Sequence, residues 1–232
     1  MERTLVRLTF CFCWIFWMLI GTSSASGAGW AEIGDAGDLI PSAQDTVGPP
    51  VSLDFISGTI FTSLDKDMYK IEITSPALFS ATVTLGGSLL DTQLFLFDAA
   101  GSGVYANDDP ALVPQLSILP AGHASGPVAS GTYYLAISGP DNDPTTGGGE
   151  IFDDINPGVQ TAVLAGGMDG WTATFSVFGG TYNIDLTGAE FANATAAAPS
   201  LGGPGLAALF TVMSLAGAAI LHRRRSQEHR AG

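Results

Sequence analysis

Alternating apolar and polar residues run through the middle of this 232-residue chain, and no stretch between residues 29 and 191 shows sustained helical periodicity. Successive side chains of a β-strand point to opposite faces, so this alternation predicts strands with one buried and one solvated face. Gly, Pro, Asn and Asp clusters separate the alternating segments, which are 67–74, 79–85, 133–138, 171–177 and 182–186. We therefore expect an all-β fold, an antiparallel β-sandwich of jelly-roll type.

One segment, 92–97, is apolar on both faces. Leu94 and Leu96 share one side, and Phe95 and Phe97 share the other. We expect it to be a central strand that is covered on both sides. The 30 glycines follow no fixed period, so a solenoid is not supported.

The first 28 residues have the three-part layout of a secretory signal peptide. Two arginines precede the apolar stretch 8–20, and small residues follow it. We expect signal peptidase to cleave after Ala25 or Ala28, with an uncleaved anchor as the alternative. Cys11 and Cys13 lie inside the apolar stretch, so the mature protein would have no disulfide.

The C-terminal end has the layout of a membrane span. An Ala/Gly/Pro spacer at 193–204 precedes the uncharged apolar run 205–221, which is followed by Arg223, Arg224 and Arg225. Its seventeen residues would form a helix of roughly 25 Å, slightly short of the roughly 30 Å hydrocarbon layer. We expect residues 205–225 to form a transmembrane sorting helix that ends in the arginine cluster. Because arginines favour the cytoplasmic side, residues 226–232 would be a cytoplasmic tail. A buried core helix is the alternative.

The intervening chain is strongly acidic. We divide it into a leader at 29–50 and a β-sandwich domain at 51–192. Apart from Lys66 and Lys70 it has no basic residue, whereas it holds all of the chain's 22 acidic residues except two, leaving eighteen net negative charges. This excludes nucleic acid as a partner, because lysines and arginines drive that binding. An acidic surface that only maintains solubility remains an alternative. We expect both lysines at a solvated strand edge.

The acidic loops are the best candidates for a binding site. They offer carboxylate and amide oxygens with few cations nearby, which suits Ca²⁺ and its roughly six to eight oxygen ligands. The alternative is that these residues only shape turns, because Asp and Asn hydrogen-bond their own backbone. The candidate ligands are Asp91, Asp98, Asn107, Asp108, Asp109, Asp141 and Asp143.

Enzymatic function has little support in the sequence. His123 is the only histidine between the signal peptide and the C-terminal span, and no zinc or triad motif accompanies it. Two carboxylates could still hydrolyse a glycosidic bond, although no pattern selects a pair. Exposed aromatic residues could bind sugar, but alternation places most of them in the core. These residues are Tyr105, Tyr133, Tyr134, Trp171 and Tyr182.

Four blocks resemble bacterial pre-peptidase C-terminal-like domains in order and spacing. They are DMYKI at 67–71, DTQLFLFD at 91–98, GVYANDD at 103–109 and GTYYLAISG at 131–139. The resemblance implies a small β-sandwich that serves as an accessory or adhesive module.

The wider layout resembles secreted bacterial proteins of the PEP-CTERM class, which implies sorting by an exosortase-like membrane enzyme. The sorting residues would be Pro199, Gly202, Gly203, Pro204, Arg223, Arg224 and Arg225. The Pro-Glu-Pro that normally begins this signal is absent, so a rhomboid-type protease that reads Gly-Gly is an alternative enzyme.

Together these features predict a non-enzymatic protein that is exported and either held at the membrane or released to the cell surface or extracellular matrix. We expect extracellular polysaccharide or envelope material as its partner, with calcium or with no cofactor. The alternatives are a polysaccharide-active hydrolase that uses loop carboxylates, and an accessory module of a secreted protease.

Overall fold

The computed structural model describes residues 27–85, 91–109, 116–153, 158–172 and 179–194. Within these ranges the chain forms strands and two 3₁₀ helices, Ile40–Ser42 and Pro76–Leu78. The strands are β1 (Ala28–Ala31), β2 (Gln44–Asp45), β3 (Val47–Gly48), β4 (Leu53–Ile60), β5 (Lys66–Ile73), β6 (Ser80–Leu85), β7 (Gln93–Phe97), β8 (Gly103–Asn107), β9 (Ile118–Leu119), β10 (Gly131–Ser138), β11 (Pro144–Thr146), β12 (Gly149–Glu150), β13 (Val159–Thr161), β14 (Gly170–Trp171), β15 (Gly180–Thr187), β16 (Ala189–Phe191) and β17 (Asn193–Ala194). The predicted all-β class is confirmed.

Two main sheets pack against each other around one core. The first has the order β1-β4-β15-β6-β9, and the second has the order β13-β8-β7-β10-β5-β16, with β2 also paired to β5. Two small sheets, β12-β11-β14 and β17-β3, complete the structure. The main core takes buried side chains from both large sheets, such as Ile56 and Ile184 from the first and Ile71 and Leu135 from the second.

Alternate apolar residues of the long strands face the main core as predicted, but the opposite face of β5 and β10 is not solvated throughout, because Met68 and Ala136 are buried in a second apolar cluster. Tyr69, Ile71 and Ile73 of β5 are fully buried, and Ile184 and its neighbours in β15 alternate with exposed polar residues. Most of the candidate sugar-binding aromatics lie in the core: Tyr105, Tyr133 and Tyr182 are buried, whereas Tyr134 and Trp171 are half-buried. Of the predicted strand 171–177, residues 173–177 lie outside the described residues.

Strand β7 is covered on both faces, as the sequence predicts. All five of its residues are buried, and β8 and β10 flank it. Leu94 and Leu96 face the main core. Phe95 faces the other way, with its ring centroid 5.7 Å from that of Phe152 and 5.6 Å from that of Trp171. Apolar side chains from outside the two main sheets therefore cover the outer face of the second sheet.

The segment predicted as a leader takes part in both sheets. β1 pairs in parallel with β4, and β2 pairs in parallel with β5. The indole Nε1 of Trp30 donates to Oε1 of Gln44 at 2.8 Å, and Ala36 is buried in the main core. Parallel pairing with β4 carries the chain along the first sheet, and this path places Glu32 beside the start of β5.

Within the described ranges, no helix is long and apolar enough to cross a membrane. The predicted signal peptide, apart from its last two residues, and the predicted span at 205–225 lie outside these ranges.

Candidate functional site

Several strands of the second sheet begin or end together at one end of the sandwich. Ser138 of β10 is in register with Gln93 of β7 and with Lys66 of β5, and Leu94 of β7 is opposite Asn107 of β8. Adjacent strands lie only about 4.8 Å apart. The acidic loops that precede or follow these strand ends therefore meet there. We call this end of the sandwich the rim.

One group of carboxylates at the rim contains Asp91, Asp108 and Asp109, whose oxygens lie within 4.8 Å of one another. Burial, followed by the charges of Asp109 and Asp91, raises the pKa of Asp108 to about 7. The charges of Asp143 and Asp141 also contribute to this rise in pKa. Of the seven residues that the sequence nominated as calcium ligands, the structure brings Asp91, Asp108 and Asp109 within reach of one ion, and Asp141 and Asp143 lie near enough to act on Asp108 through their charge.

The other two nominated residues have structural roles. Asp98 lies beyond the opposite end of β7, where its Oδ1 accepts hydrogen bonds from the amides of Ala100 and Ser102, each at 2.9 Å. Asp98 therefore closes the turn into β8 and is separate from the rim. Asn107 is buried, and its Oδ1 accepts a hydrogen bond from the amide of Ile118 at 3.0 Å.

Asp141 and Asp143 shape their own loop as well as contributing charge. Asp141 has φ of 53°, a left-handed conformation that Asp tolerates better than most residues. Asp143 is buried, its Oδ1 accepts from Nε2 of Gln93 at 2.9 Å, and its amide donates to Oγ1 of Thr172 at 2.7 Å. Asp141 and Asp143 therefore shape a turn, which is the alternative to calcium binding that the sequence left open.

Lys66 does not lie at a solvated strand edge, and that prediction is wrong. Its side chain is 8% exposed, its Nζ donates to the carbonyl of Leu64, and Nζ lies 3.7 Å from Oδ2 of Asp38. The reason is that the layer outside the second sheet covers the lysine, with the ring centroid of Trp171 5.9 Å from Nζ. Lys70 is only partly exposed, with its Nζ 3.2 Å from Oδ1 of Asp45.

A second carboxylate group at the rim was not anticipated from the sequence. Oxygens of Glu32, Asp35 and Asp67 lie within 4.8 Å of one another, and Asp35 forms a similar trio with Asp38 and Asp65. We call Glu32, Asp35 and Asp67 the N-terminal acidic site. The sequence signal that could have found it is the pair Asp65 and Asp67 at the start of β5. Glu32 and Asp35, however, lie in the segment predicted as a leader.

Asp67 has the most unusual environment of the site. It is fully buried, and its Oδ2 accepts a hydrogen bond from the Tyr182 hydroxyl at 2.6 Å. The hydroxyls of Tyr182 and Tyr69 lie 2.5 Å apart. Among the described residues, no donor reaches Oδ1 of Asp67. Burial raises the pKa of Asp67 to about 8, with a further rise from the charge of Glu32, while the Tyr182 hydrogen bond opposes the shift.

Glu32 is held in place by the backbone. Its Oε1 accepts from the amide of Ala36 at 3.2 Å, and its Oε2 accepts from the amide of Thr59 at 2.8 Å. Burial raises the pKa of Glu32, and its carboxyl group is close enough to that of Asp67 to share a proton. The site can therefore either retain a proton between these two groups or replace that proton with a cation.

The geometry favours a hard cation such as Ca²⁺. Carboxylate oxygens are its preferred ligands, and a buried carboxylate oxygen without a donor is costly unless a proton or an ion satisfies it. The two overlapping trios hold five carboxylates, of which Asp38 pairs with Lys66. The surplus of negative charge disfavours an anion.

A shallow pocket of about 470 Å³ lies beside the site, against β4 and β15 of the first sheet. Its lining combines hydroxyl and amide groups with apolar surface, and Glu32 is the one carboxylate among the described residues that line it. Glycoside hydrolysis requires two carboxyl groups across the scissile bond. The pocket therefore lacks the paired acids of that chemistry within the described part of the chain.

The nominated sorting residues, from Pro199 to Arg225, lie outside the described residues. Comparison of the chain with protein-family models and with curated proteins finds no match to either. The resemblances to pre-peptidase C-terminal-like domains and to the PEP-CTERM class therefore stay predictions, and the residues of the rim carry the functional argument.

Proposed function

We propose that the protein is an exported, non-catalytic β-sandwich of the cell surface or extracellular matrix, and that Ca²⁺ bound at the N-terminal acidic site completes its fold. One observation carries this proposal: Asp67 is fully buried, its Oδ1 has no donor among the described residues, and a carboxylate oxygen of Asp67 lies within 4.8 Å of oxygens of Glu32 and Asp35. A divalent cation would satisfy that oxygen and offset the repulsion among the three carboxylates.

The ion would act as a clasp between two parts of the chain. Glu32 and Asp35 follow β1, whereas Asp67 belongs to β5. Calcium would thus hold the N-terminal segment against the second sheet. Extracellular calcium sites work at roughly 10⁻⁴–10⁻³ M, a range suited to a protein that reaches its final fold after export.

Export and anchoring belong to the same proposal. The signal peptide, the jelly-roll connectivity, the transmembrane sorting helix and the exosortase-like or rhomboid-type enzyme all come from sequence patterns. The acidic part of the chain precedes the predicted span, and the three arginines follow it. Because arginines favour the cytoplasmic side of a membrane, this order supports an orientation with the acidic part outside the cell.

Asp91, Asp108 and Asp109 would form a second, weaker calcium site. Their carboxylates are close together and Oδ1 of Asp108 has no donor among the described residues, but each side chain is partly exposed. Water can therefore satisfy part of their charge, so an ion is needed less there than at Asp67.

Thermal unfolding of the full chain in millimolar calcium and in EDTA tests the proposal. We expect calcium to raise Tm in the native protein and to have little effect on the Asp67→Asn variant. The Asp54→Asn variant is the control, because Asp54 lies near the other end of the sandwich, beside Gly27. A native Tm that is the same in calcium and EDTA would refute the calcium clasp.

A further inference from the structure

The pocket beside the N-terminal acidic site is lined by polar side chains that point away from the main core. Ile56 and Ile60 of β4 belong to that core, and so does Ile184 of β15. Because side chains alternate between the two faces of a strand, the residues that alternate with these isoleucines point to the other face of the first sheet. The pocket is lined by four such residues, which are Ser57, Thr59, Thr181 and Asn183.

These four residues form a grid of hydroxyl and amide groups. In the antiparallel pairing of β4 with β15, Ser57 is opposite Asn183 and Thr59 is opposite Thr181. The two strands lie about 4.8 Å apart, and residues two apart along a strand are separated by about 6.7 Å. A sugar ring carries hydroxyl groups on most of its carbons, so it can form several hydrogen bonds with the grid at once.

The charge and size of the pocket favour a neutral ligand. Glu32 is the one carboxylate among the described residues that line it, and both of its oxygens accept hydrogen bonds from backbone amides. An amine would have to compete with these amides, and the surplus of negative charge at the rim repels anions. The apolar part of the lining suits the C–H faces of a sugar. The volume of about 470 Å³ falls within the roughly 300–1,000 Å³ of small-molecule sites.

One wall of the pocket belongs to the segment that calcium would hold. Ala31, the last residue of β1, and Glu32 form this wall. Oε2 of Glu32 accepts from the amide of Thr59 at 2.8 Å, and Gly58 leaves room for the carboxylate, since a Cβ at position 58 would lie 2.7 Å from Oε2. Glu32 thus belongs both to the pocket and to the N-terminal acidic site, so an ion at that site would also fix the wall.

We propose that the pocket binds a sugar unit of a neutral polysaccharide, and that Ca²⁺ at the N-terminal acidic site strengthens this binding by holding Ala31 and Glu32 in place. The proposal rests on the proposed calcium function. The hydroxyl and amide grid supplies the hydrogen bonds to the sugar. Because the pocket is shallow, the polymer can continue beyond the bound unit.

Binding to immobilised neutral polysaccharides tests this proposal. The full chain, in detergent micelles, is passed over surfaces that carry mannan, dextran, galactan or xyloglucan, in millimolar calcium or in EDTA. Ser57→Tyr fills the pocket, and Thr59→Val removes one hydroxyl but keeps the amide that donates to Glu32. Thr82→Tyr and Thr82→Val are the matched controls, because Thr82 of β6 also points away from the main core but does not line the pocket. Thermal unfolding of each variant checks that the fold is retained.

We expect binding to at least one of the four polymers in calcium, and weaker binding in EDTA. Ser57→Tyr should weaken the binding by about tenfold or more and Thr59→Val by about two- to tenfold, whereas the Thr82 variants should bind like the native protein. Asp67→Asn in calcium should bind no better than the native protein in EDTA.

The outcomes separate the pocket from the calcium clasp. Failure to bind any of the four polymers, while calcium still raises Tm, would overturn the pocket proposal and leave the clasp standing. Equal losses from Ser57→Tyr and Thr82→Tyr would likewise place the sugar elsewhere. Binding that is the same in calcium and in EDTA, without a calcium-induced rise in Tm, would overturn both proposals.

Discussion

The Asp67→Asn substitution should change the pH dependence of stability in calcium-free protein. Asp67 ordinarily has a pKa of 3.8, and burial raises this pKa to about 8 in the folded protein. Folding therefore retains a proton that the unfolded chain releases between these two values. The contribution of Asp67 to stability is fully present below pH 4 and is lost as the pH rises towards 8.

The magnitude follows from the size of the shift. Each pKa unit corresponds to about 1.4 kcal/mol, so a shift of about four units represents a loss on the order of 5 kcal/mol across this window. Domains have free energies of unfolding of roughly 5–15 kcal/mol, so the effect would be large. Asparagine carries no charge and still offers an oxygen to the Tyr182 hydroxyl, so the variant escapes this loss.

Urea unfolding at several pH values between 5 and 8 measures the effect. In EDTA, we expect the stability of the variant relative to the native protein to increase by about 4 kcal/mol from pH 5 to pH 8, because the window covers three pH units at about 1.4 kcal/mol each. Saturating calcium should reduce or reverse this difference, because an ion at 100 times its Kd contributes about 2.7 kcal/mol to the native protein alone. A pH-independent difference in EDTA would refute the reasoning, and Asp54→Asn serves as the control.

Three further substitutions separate the roles of individual side chains. Tyr182→Phe removes the donor to Asp67 and should destabilise the protein by about 1–3 kcal/mol in urea unfolding, more strongly at pH 8 than at pH 5. Phe97→Ala empties a fully buried position of the central strand and should cost about 3–5 kcal/mol in the same assay. Asp98→Ala should cost about 1 kcal/mol by removing two turn hydrogen bonds, yet leave the calcium-induced rise in Tm unchanged; a smaller rise would place Asp98 in the ion site after all.

Local patterns were sufficient to identify the main strands. Alternation identified β5, β10 and β15, because every second side chain of a strand faces the same core. It did not reveal that part of the other face of β5 and β10 is also buried, since that depends on the layer packed over the second sheet. The apolar character of both faces likewise identified β7, whose residues are all buried. The acidic residues at the ends of β7, β8 and β10 could also be nominated, since turns favour them and strand ends in one sheet lie close together.

Local sequence patterns did not predict the N-terminal acidic site. Glu32 meets Asp67 only because β1 runs parallel to β4, a pairing between segments more than twenty residues apart that no local pattern encodes. Asp98 was predicted to join the site but does not. Its sequence context resembles that of Asp91, yet the five residues of β7 place it at the opposite end of the strand.

The sequence by itself determined the all-β class, the central strand, the acidic character and the layout of the two ends, because these depend on side-chain periodicity, charge and local hydrophobicity. Only the tertiary structure decided which carboxylates meet, that Lys66 is buried, and that Asp67 keeps one oxygen without a donor. Those features depend on which strands pair and which layers cover them, and such choices are made by contacts between residues far apart in the chain.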